Sequence, residues 1–181
     1  MAKKTKIKKP IMTPLMERFI AFEGLLQWTQ AVITQSERVT AAISRQQVDL
    51  RCHDPVIRHK AILNMHSECH FFAISAYKLI EHQEWVLMFG LCATVDFAEI
   101  DQFSKQDIKD LRNMREHVVD YFKGEGLASD RWVVETPEYK ADASTFNGTM
   151  IGGRLDWGKF AAAAERLLPK LLAEPLPYPP R

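Results

Sequence analysis

Three side chains suited to handling phosphate lie close together in the polar stretch DLRNMREHVVDYF, residues 110 to 122: Arg112, Asn113 and His117. The imidazole of His117 has an ordinary pKa of about 6.5, so it can take or give a proton near neutral pH. The guanidinium of Arg112 stays charged and offers a planar fork of donors to phosphate oxygens. The carboxamide of Asn113 can orient the imidazole or bind a phosphate oxygen. These are the groups that metal-independent cleavage of a phosphodiester needs.

The stretch is predicted to lie on a helix. Ser104 and Asp107 stand in the arrangement of a capping box, and Gly124 is placed to end the helix after about residue 122. On such a helix Arg112 and His117 lie about 140° apart around the axis, so one copy holds only part of a site. Two copies related by a two-fold axis would bring both groups into one groove.

The same residues also predict a less specific surface. Glu116 follows Arg112 by one helical turn, which favours an ion pair on a solvated helix face. A carboxylate bound to Arg112 would compete with phosphate for the same donors, which favours a protein that binds nucleotides without cleaving them. The sequence leaves these alternatives open, together with a structural helical protein that binds no ligand.

The string R-N-x-x-x-H at residues 112 to 117 resembles the signature of the HEPN superfamily. Members are small helical bundles, many of them dimeric, metal-independent ribonucleases, while others only bind nucleotides or partner proteins. The predicted helices 54 to 82, 105 to 123 and 157 to 173 take the places that the family's order of helices requires. The resemblance therefore implies a homodimer acting on single-stranded RNA or a nucleotide, or a module that binds a partner protein.

Three further residues are candidate substrate-binding groups. Arg115 lies within the stretch 112 to 117, and His70 lies on the long second helix next to Phe71 and Phe72, where it can help support a pocket. Arg154 is a cation near the last helix that can contact RNA. We expect no cofactor.

A stripe of histidines and a glycine-rich segment suggest other chemistries, and neither is favoured. His66 and His70 are spaced to chelate zinc, but Ser67 occupies the glutamate position of H-E-x-x-H and no fourth ligand follows, so we expect no metal site. The segment GRLDWGKF at residues 153 to 160 nearly matches a P-loop. Phe160 replaces the magnesium-binding hydroxyl there, so hydrolysis of nucleoside triphosphates is not expected.

Composition restricts the class of protein. The chain has 181 residues, of which 46% are hydrophobic and 26% charged, as expected of one soluble domain. The net charge of +1 argues against a protein that coats nucleic acid by bulk electrostatics. Three scattered cysteines without C-x-x-C spacing favour reduced thiols and a cytoplasmic location. No apolar run is long enough to span a membrane, so no membrane partner is expected.

The predicted fold is all-α, a four- to five-helix bundle with a small β-hairpin insertion before the last helix. Helices are expected to start after Thr13, Asp54, Ser104 and Asp156. A further short helical element, tilted or broken near Gly90, is expected at residues 84 to 98. Residues 36 to 49 can continue the first helix or form a loop. The hairpin is expected between residues 131 and 150, with Asn147 and Gly148 as its turn.

The domain organisation follows from these elements. Residues 1 to 11 are expected to form a basic disordered tail, and residues 12 to 173 a single helical-bundle domain. Pro169 is predicted to kink the last helix. Residues 174 to 181 are predicted to be a proline-rich tail in the polyproline II conformation.

Overall fold

The computed structural model describes residues 13–125, 131–135, 137 and 139–177. The predicted basic tail, residues 1 to 11, lies outside the described residues, as do residues 178 to 181 of the proline-rich tail. Most of the described chain is helical, and two small antiparallel hairpins interrupt it before the last helix. The predicted all-α class with a small β insertion is therefore confirmed at that level.

Two long helices, α1 (Pro14–Asp49) and α2 (Pro55–Met88), form an antiparallel pair. Both start where the sequence predicts, because Thr13 and Asp54 accept hydrogen bonds from backbone N–H groups of the first turn. The Arg18 guanidinium donates to the Phe89 carbonyl oxygen at 2.9 Å, which ties the start of α1 to the end of α2.

The polar residues 36–49, which the sequence left undecided, continue α1. Two hydroxyls there bond back to carbonyl oxygens one turn earlier, Thr40 to Ser36 at 2.9 Å and Ser44 to Thr40 at 3.1 Å. Val39 and Ala42 are buried, so this part of α1 has a packed face as well. Local bonding and packing together keep the stretch helical.

The helical element predicted at residues 84 to 98 is broken near Gly90, as expected, but residues 91 to 97 form no helix, so its second half is wrong. The helix α2 ends at Met88, and Gly90 takes a φ of 63°. The N–H of Leu91 bonds to the Val86 carbonyl and that of Gly90 to the Leu87 carbonyl, both at 2.9 Å. This is a Schellman motif, which closes a helix when glycine supplies the left-handed conformation. The next helix, α3 (Ala98–Asp101), is a single turn.

The helix predicted to run from residue 105 to about 122 is divided in two, α4 (Lys105–Glu116) and α5 (Val118–Phe122). Its start is as predicted, since Ser104 Oγ accepts from the Asp107 N–H at 3.2 Å. His117 stands at the break, with φ −115° and ψ 32°. No proline or glycine marks the break, and the two β-branched residues after it only weaken helix propensity, so the pattern could not predict it.

Two hairpins replace the single predicted one. The strands β1 (Val134–Glu135) and β2 (Lys140–Ala141) pair with each other, and β3 (Met150–Ile151) pairs with β4 (Leu155–Asp156). Asn147 and Gly148 lie in a turn as expected, because the Asn147 side chain accepts from the Thr149 and Met150 N–H groups. Strands of two residues carry too little periodicity to be counted from sequence.

The last helix, α6 (Trp157–Leu172), begins after Asp156, whose carboxylate accepts from the Lys159 N–H at 3.0 Å. It packs on α1 and joins the core through aromatic edges. Phe160 lies 4.9 Å from Phe103 and 6.4 Å from Phe72 between ring centroids. Pro169 lies inside α6, which continues to Leu172. None of the helices in the described ranges is both long and apolar enough to span a lipid bilayer.

Candidate functional site

The helix α4 carries three of the six predicted site residues and packs on α2. Ile108, Leu111 and Met114 are buried, and their spacing turns the polar groups between them towards the edges of the contact. One edge carries Arg112 and Glu116. The other edge, with Arg115, faces a cleft beside α2.

The Arg112 guanidinium is bound by its own neighbours. Its Nη2 lies 2.7 Å from Glu116 Oε2, and its Nη1 donates to Asn113 Oδ1 at 3.0 Å. The guanidinium carbon lies 5.6 Å from the centroid of the Tyr77 ring on α2, a cation–π contact. The predicted ion pair with Glu116 is therefore present, and Asn113 orients Arg112 in this state of the protein.

His117 is separated from that group by the break between α4 and α5. Its side chain is 59% exposed, and its Nδ1 lies 3.6 Å from Asp120 Oδ2. Its backbone N–H still bonds to the Asn113 carbonyl at 2.9 Å, but no side-chain hydrogen bond joins it to Arg112 or Asn113 within the described ranges. The structure thus brings Arg112 and Asn113 together and leaves the His117 imidazole facing solvent.

A cleft of about 690 Å³ lies between α2, the α4–α5 segment and the hairpins. It contains two of the predicted substrate-binding residues, His70 and Arg115. Its walls are mainly apolar and are formed by residues from distant parts of the chain: Leu63, His66, Ser67, His70, Met114, Arg115, Val118, Tyr121, Trp132, Val133, Asp142, Ala143 and Ser144.

Arg115 is the cation of this cleft. Its Nη1 donates to the His66 carbonyl oxygen at 3.0 Å, while Nε and Nη2 are buried and have no acceptor among the residues described. Burial lowers the pKa of Arg115, although a guanidinium remains charged at neutral pH. No carboxylate of the described chain lies within ion-pair distance of it.

The two cleft histidines are held neutral at neutral pH. Burial, and then the charge of Arg115, lowers the pKa of both His66 and His70. Between them, the Cys69 thiol is buried against Met65, and burial raises its pKa to about 11. In the part of the chain that the structure describes, no cluster of three or more histidine, cysteine or acidic residues is arranged to hold a metal ion.

The cleft has an aromatic part and a polar part. The rings of Tyr121, on α5, and Trp132, just before β1, contact each other at the cleft, and the Trp132 indole N–H is buried without an acceptor in the described ranges. Just after β2, Asp142 Oδ1 accepts four hydrogen bonds, two from Ser144 and two from Thr145. These bonds fix the Asp142 carboxylate and lower its pKa against the effect of burial.

The third predicted substrate-binding residue, Arg154, lies away from the cleft. Its guanidinium donates to the carbonyl oxygens of Gly152, at 3.2 Å, and of Arg131. Arg131 in turn pairs with Asp110 on α4 at 2.7 Å. Arg154 therefore joins the hairpin segments to each other and to the side of α4 away from the cleft. Phe160, the last residue of the near P-loop match, is fully buried in the core.

No spacing pattern in the sequence places Trp132 and Asp142 in the same cleft as His70 and Arg115. They lie between 17 and 72 positions apart, and only the folding of the hairpins over α2 and α4 brings them together. A lone tryptophan in a polar, β-prone stretch was the one available signal.

Comparison with models of known protein families, with curated proteins and with solved structures gives no significant match.

Proposed function

We propose that this chain is a HEPN-like domain, a helical bundle built from α1, α2, α4 and α6, that handles the phosphate groups of RNA as a homodimer. Its leading activity in this proposal is metal-independent endoribonuclease cleavage. The observation that carries the proposal is the placement of Arg112 on α4 and of His117 at the α4–α5 break, with the imidazole exposed and not bonded to the guanidinium. Such a pair needs a second copy to complete a site.

Exposed apolar side chains beside the break support pairing of two copies. On α5, Val119 is 58% exposed, and Val118, directly after His117, is 42% exposed. Apolar surface of this kind is buried when subunits associate. In the proposed dimer, the α4–α5 segments of the two copies face each other across a two-fold axis.

The proposed reaction uses only groups of this chain. His117 of one copy takes the proton of a ribose 2′-hydroxyl, whose oxygen attacks the adjacent phosphorus. Arg112 of the other copy stabilises the negative charge that builds up on the phosphate oxygens, and Asn113 holds that guanidinium in place. The bond to the 5′-oxygen breaks, and the His117 imidazolium formed in the first step gives its proton to this leaving oxygen. Glu116 must release Arg112 for the phosphate to bind.

A second candidate is a non-catalytic module that binds a nucleotide or a partner protein. The ion pair between Arg112 and Glu116 favours it, because a satisfied guanidinium contributes little to transition-state stabilisation. In either case we propose a cytoplasmic location, where the free thiols of Cys52, Cys69 and Cys92 stay reduced.

Mixing two inactive variants tests the shared site. Arg112→Gln and His117→Ala should each abolish cleavage of single-stranded RNA in the presence of EDTA. A mixture that exchanges subunits should regain about a quarter of the original activity, since half of the dimers then hold one intact composite site of two. No recovery despite proven exchange would contradict the composite site, and saturable RNA binding without cleavage would favour the binding module.

A further inference from the structure

We infer that the cleft between α2, the α4–α5 segment and the hairpins binds a small organic anion: a flat aromatic body that carries one carboxylate or phosphate group. This site is separate from the proposed RNA site, because neither Arg112 nor His117 lines it. The inference does not depend on ribonuclease activity. It depends on the size of the cleft, its aromatic wall and the unfilled donors around it.

The volume and walls suit a flat ligand with one or two rings. A volume of about 690 Å³ lies within the usual range of small-molecule sites, and Leu63, Met114 and Val118 provide an apolar floor. The Trp132 and Tyr121 rings form one side, against which a planar body can stack. An aliphatic chain would gain less from such a wall.

The charge of the ligand follows from Arg115. Its Nε and Nη2, together with the Trp132 indole N–H, are three buried donors at one cleft with no acceptor among the described residues. Buried donors without acceptors cost free energy, and an anion is the acceptor that a guanidinium binds best. Nε and Nη2 are not accessible to solvent in this structure. The Arg115 side chain must therefore turn the edge that carries them towards the cleft when the anion binds.

Among the described residues, no other ionisable group of the cleft lies within ion-pair distance of Arg115, and only the Asp142 carboxylate offsets part of its charge from farther away. His66 and His70 are neutral at neutral pH, and Asp142 is committed through Oδ1 to Ser144 and Thr145. Asp142 still repels an anion, so the head group should lie on the side of the cleft formed by α2 and α4. This repulsion makes Asp142→Asn a variant of opposite expected sign to the loss of Arg115.

The probe is indole-3-acetate, compared with its neutral isostere indole-3-acetamide, by calorimetric titration of the full chain. The acetate should bind at one site per chain and the acetamide at least about tenfold more weakly, the cost of losing a charge-assisted hydrogen bond. AMP against adenosine provides the phosphate arm. If only AMP binds, the head group is phosphate; if neither anion binds more tightly than its neutral counterpart, the inference is wrong.

Location is read from tryptophan indole signals in an NMR spectrum of the labelled protein. The chain has four tryptophans. Binding in the cleft should shift the Trp132 signal and leave those of Trp28 and Trp85 in place, whereas equal shifts at all of them would contradict the assignment. The Trp132→Phe variant identifies the signal.

Different variants test the charge of Arg115 and the free volume of the cleft. Arg115→Gln should weaken acetate binding about tenfold, and Asp142→Asn should strengthen it. Arg58, an exposed arginine of α2 that does not line the cleft, gives the matched control. The Arg58→Gln protein should bind the acetate as the original does. Ser67→Phe fills the cleft from an exposed position of α2 and should abolish binding, so it decides the question if Arg115→Gln fails to fold. Unchanged affinity in a folded Ser67→Phe protein would overturn the inference.

Discussion

Arg112 and Glu116 are joined one turn apart on α4 by an ion pair, in which Arg112 Nη2 lies 2.7 Å from Glu116 Oε2. The pair occupies the donor that a phosphate group would use. Glu116 therefore acts on the proposed RNA site in two ways: it covers the guanidinium, and its charge repels phosphate.

Glu116→Gln should strengthen binding of single-stranded RNA about fivefold, corresponding to ~1 kcal/mol, because the guanidinium is released and a negative charge is removed. Fluorescence anisotropy with labelled RNA at low salt measures this change. Glu37→Gln removes the same charge from an exposed position on α1 and should have little effect. Equal affinity of the original and the Glu116→Gln protein would show that Arg112 does not bind phosphate.

Gly24→Ala should destabilise the fold. A Cβ at this position of α1 would overlap the ring of His82 on α2. Alanine improves helix propensity by about 1 kcal/mol, but overpacking at a helix contact costs about 1–3 kcal/mol and should prevail. Denaturant unfolding gives the free energy.

Two further variants test the cause of that loss. Gly158→Ala, in the first turn of α6, meets only an ordinary contact with Asp156 and should stabilise the protein or leave it unchanged. Adding His82→Ala to Gly24→Ala should remove the penalty for the alanine at position 24. If the penalty persists, the overlap with the ring is not its origin.

The free energy of unfolding should fall as the pH is lowered from 7 to 5. Burial is the largest cause lowering the pKa of His66, His70 and His82, so the unfolded chain binds protons more readily than the folded one. The stability is fully present above the unfolded pKa of about 6.5 and is lost as the pH falls below it.

Denaturant midpoints at pH 7 and pH 5.5 measure this dependence, and His82→Gln should make it shallower. Glu81 and Asp142 also have lowered pKa values, but carboxylates take up protons mainly below about pH 4.5. The change in stability between pH 7 and pH 5.5 therefore comes from the histidines. A midpoint that is the same at both pH values would contradict the prediction.

Phe160→Ala should cost about 3–5 kcal/mol, the usual cost of removing a fully buried aromatic side chain. The Phe160 ring packs edge-on against Phe72 and Phe103, so its loss leaves a cavity where α6, α2 and the segment before α4 meet. Guanidinium unfolding measures the loss, and Lys159→Ala at the neighbouring exposed position should change stability by less than about 0.5 kcal/mol.

Helix starts could be predicted from sequence because their signals are local. Thr13, Asp54, Ser104 and Asp156 each accept the capping hydrogen bond that their position suggests. The break at His117 and the second hairpin were missed, because neither carries a local signal of that strength. Both are set by how the segments fit onto α2 and α4.

For the candidate site, too, the sequence predicts local relationships between residues and not contacts between distant segments. The spacing of Arg112 and Glu116 on one helix predicted their ion pair, which is present. His70 and Arg115 were named as binding residues from their chemistry, and their meeting in one cleft depends on the packing of α4 against α2. Arg154 could not be placed from the sequence. Its guanidinium binds the carbonyl oxygens of Gly152 and Arg131, and Arg131 is brought near only by the fold.

The two walls of the cleft differ in how firmly they are held. Asp142, Ala143 and Ser144 lie in the segment that joins two hairpins with strands of only two residues, whereas the facing wall belongs to the 34-residue helix α2. Amide hydrogens of the hairpin wall should therefore exchange with deuterium well before those in the middle of α2. A ligand can enter by local opening of this wall while the helices remain assembled.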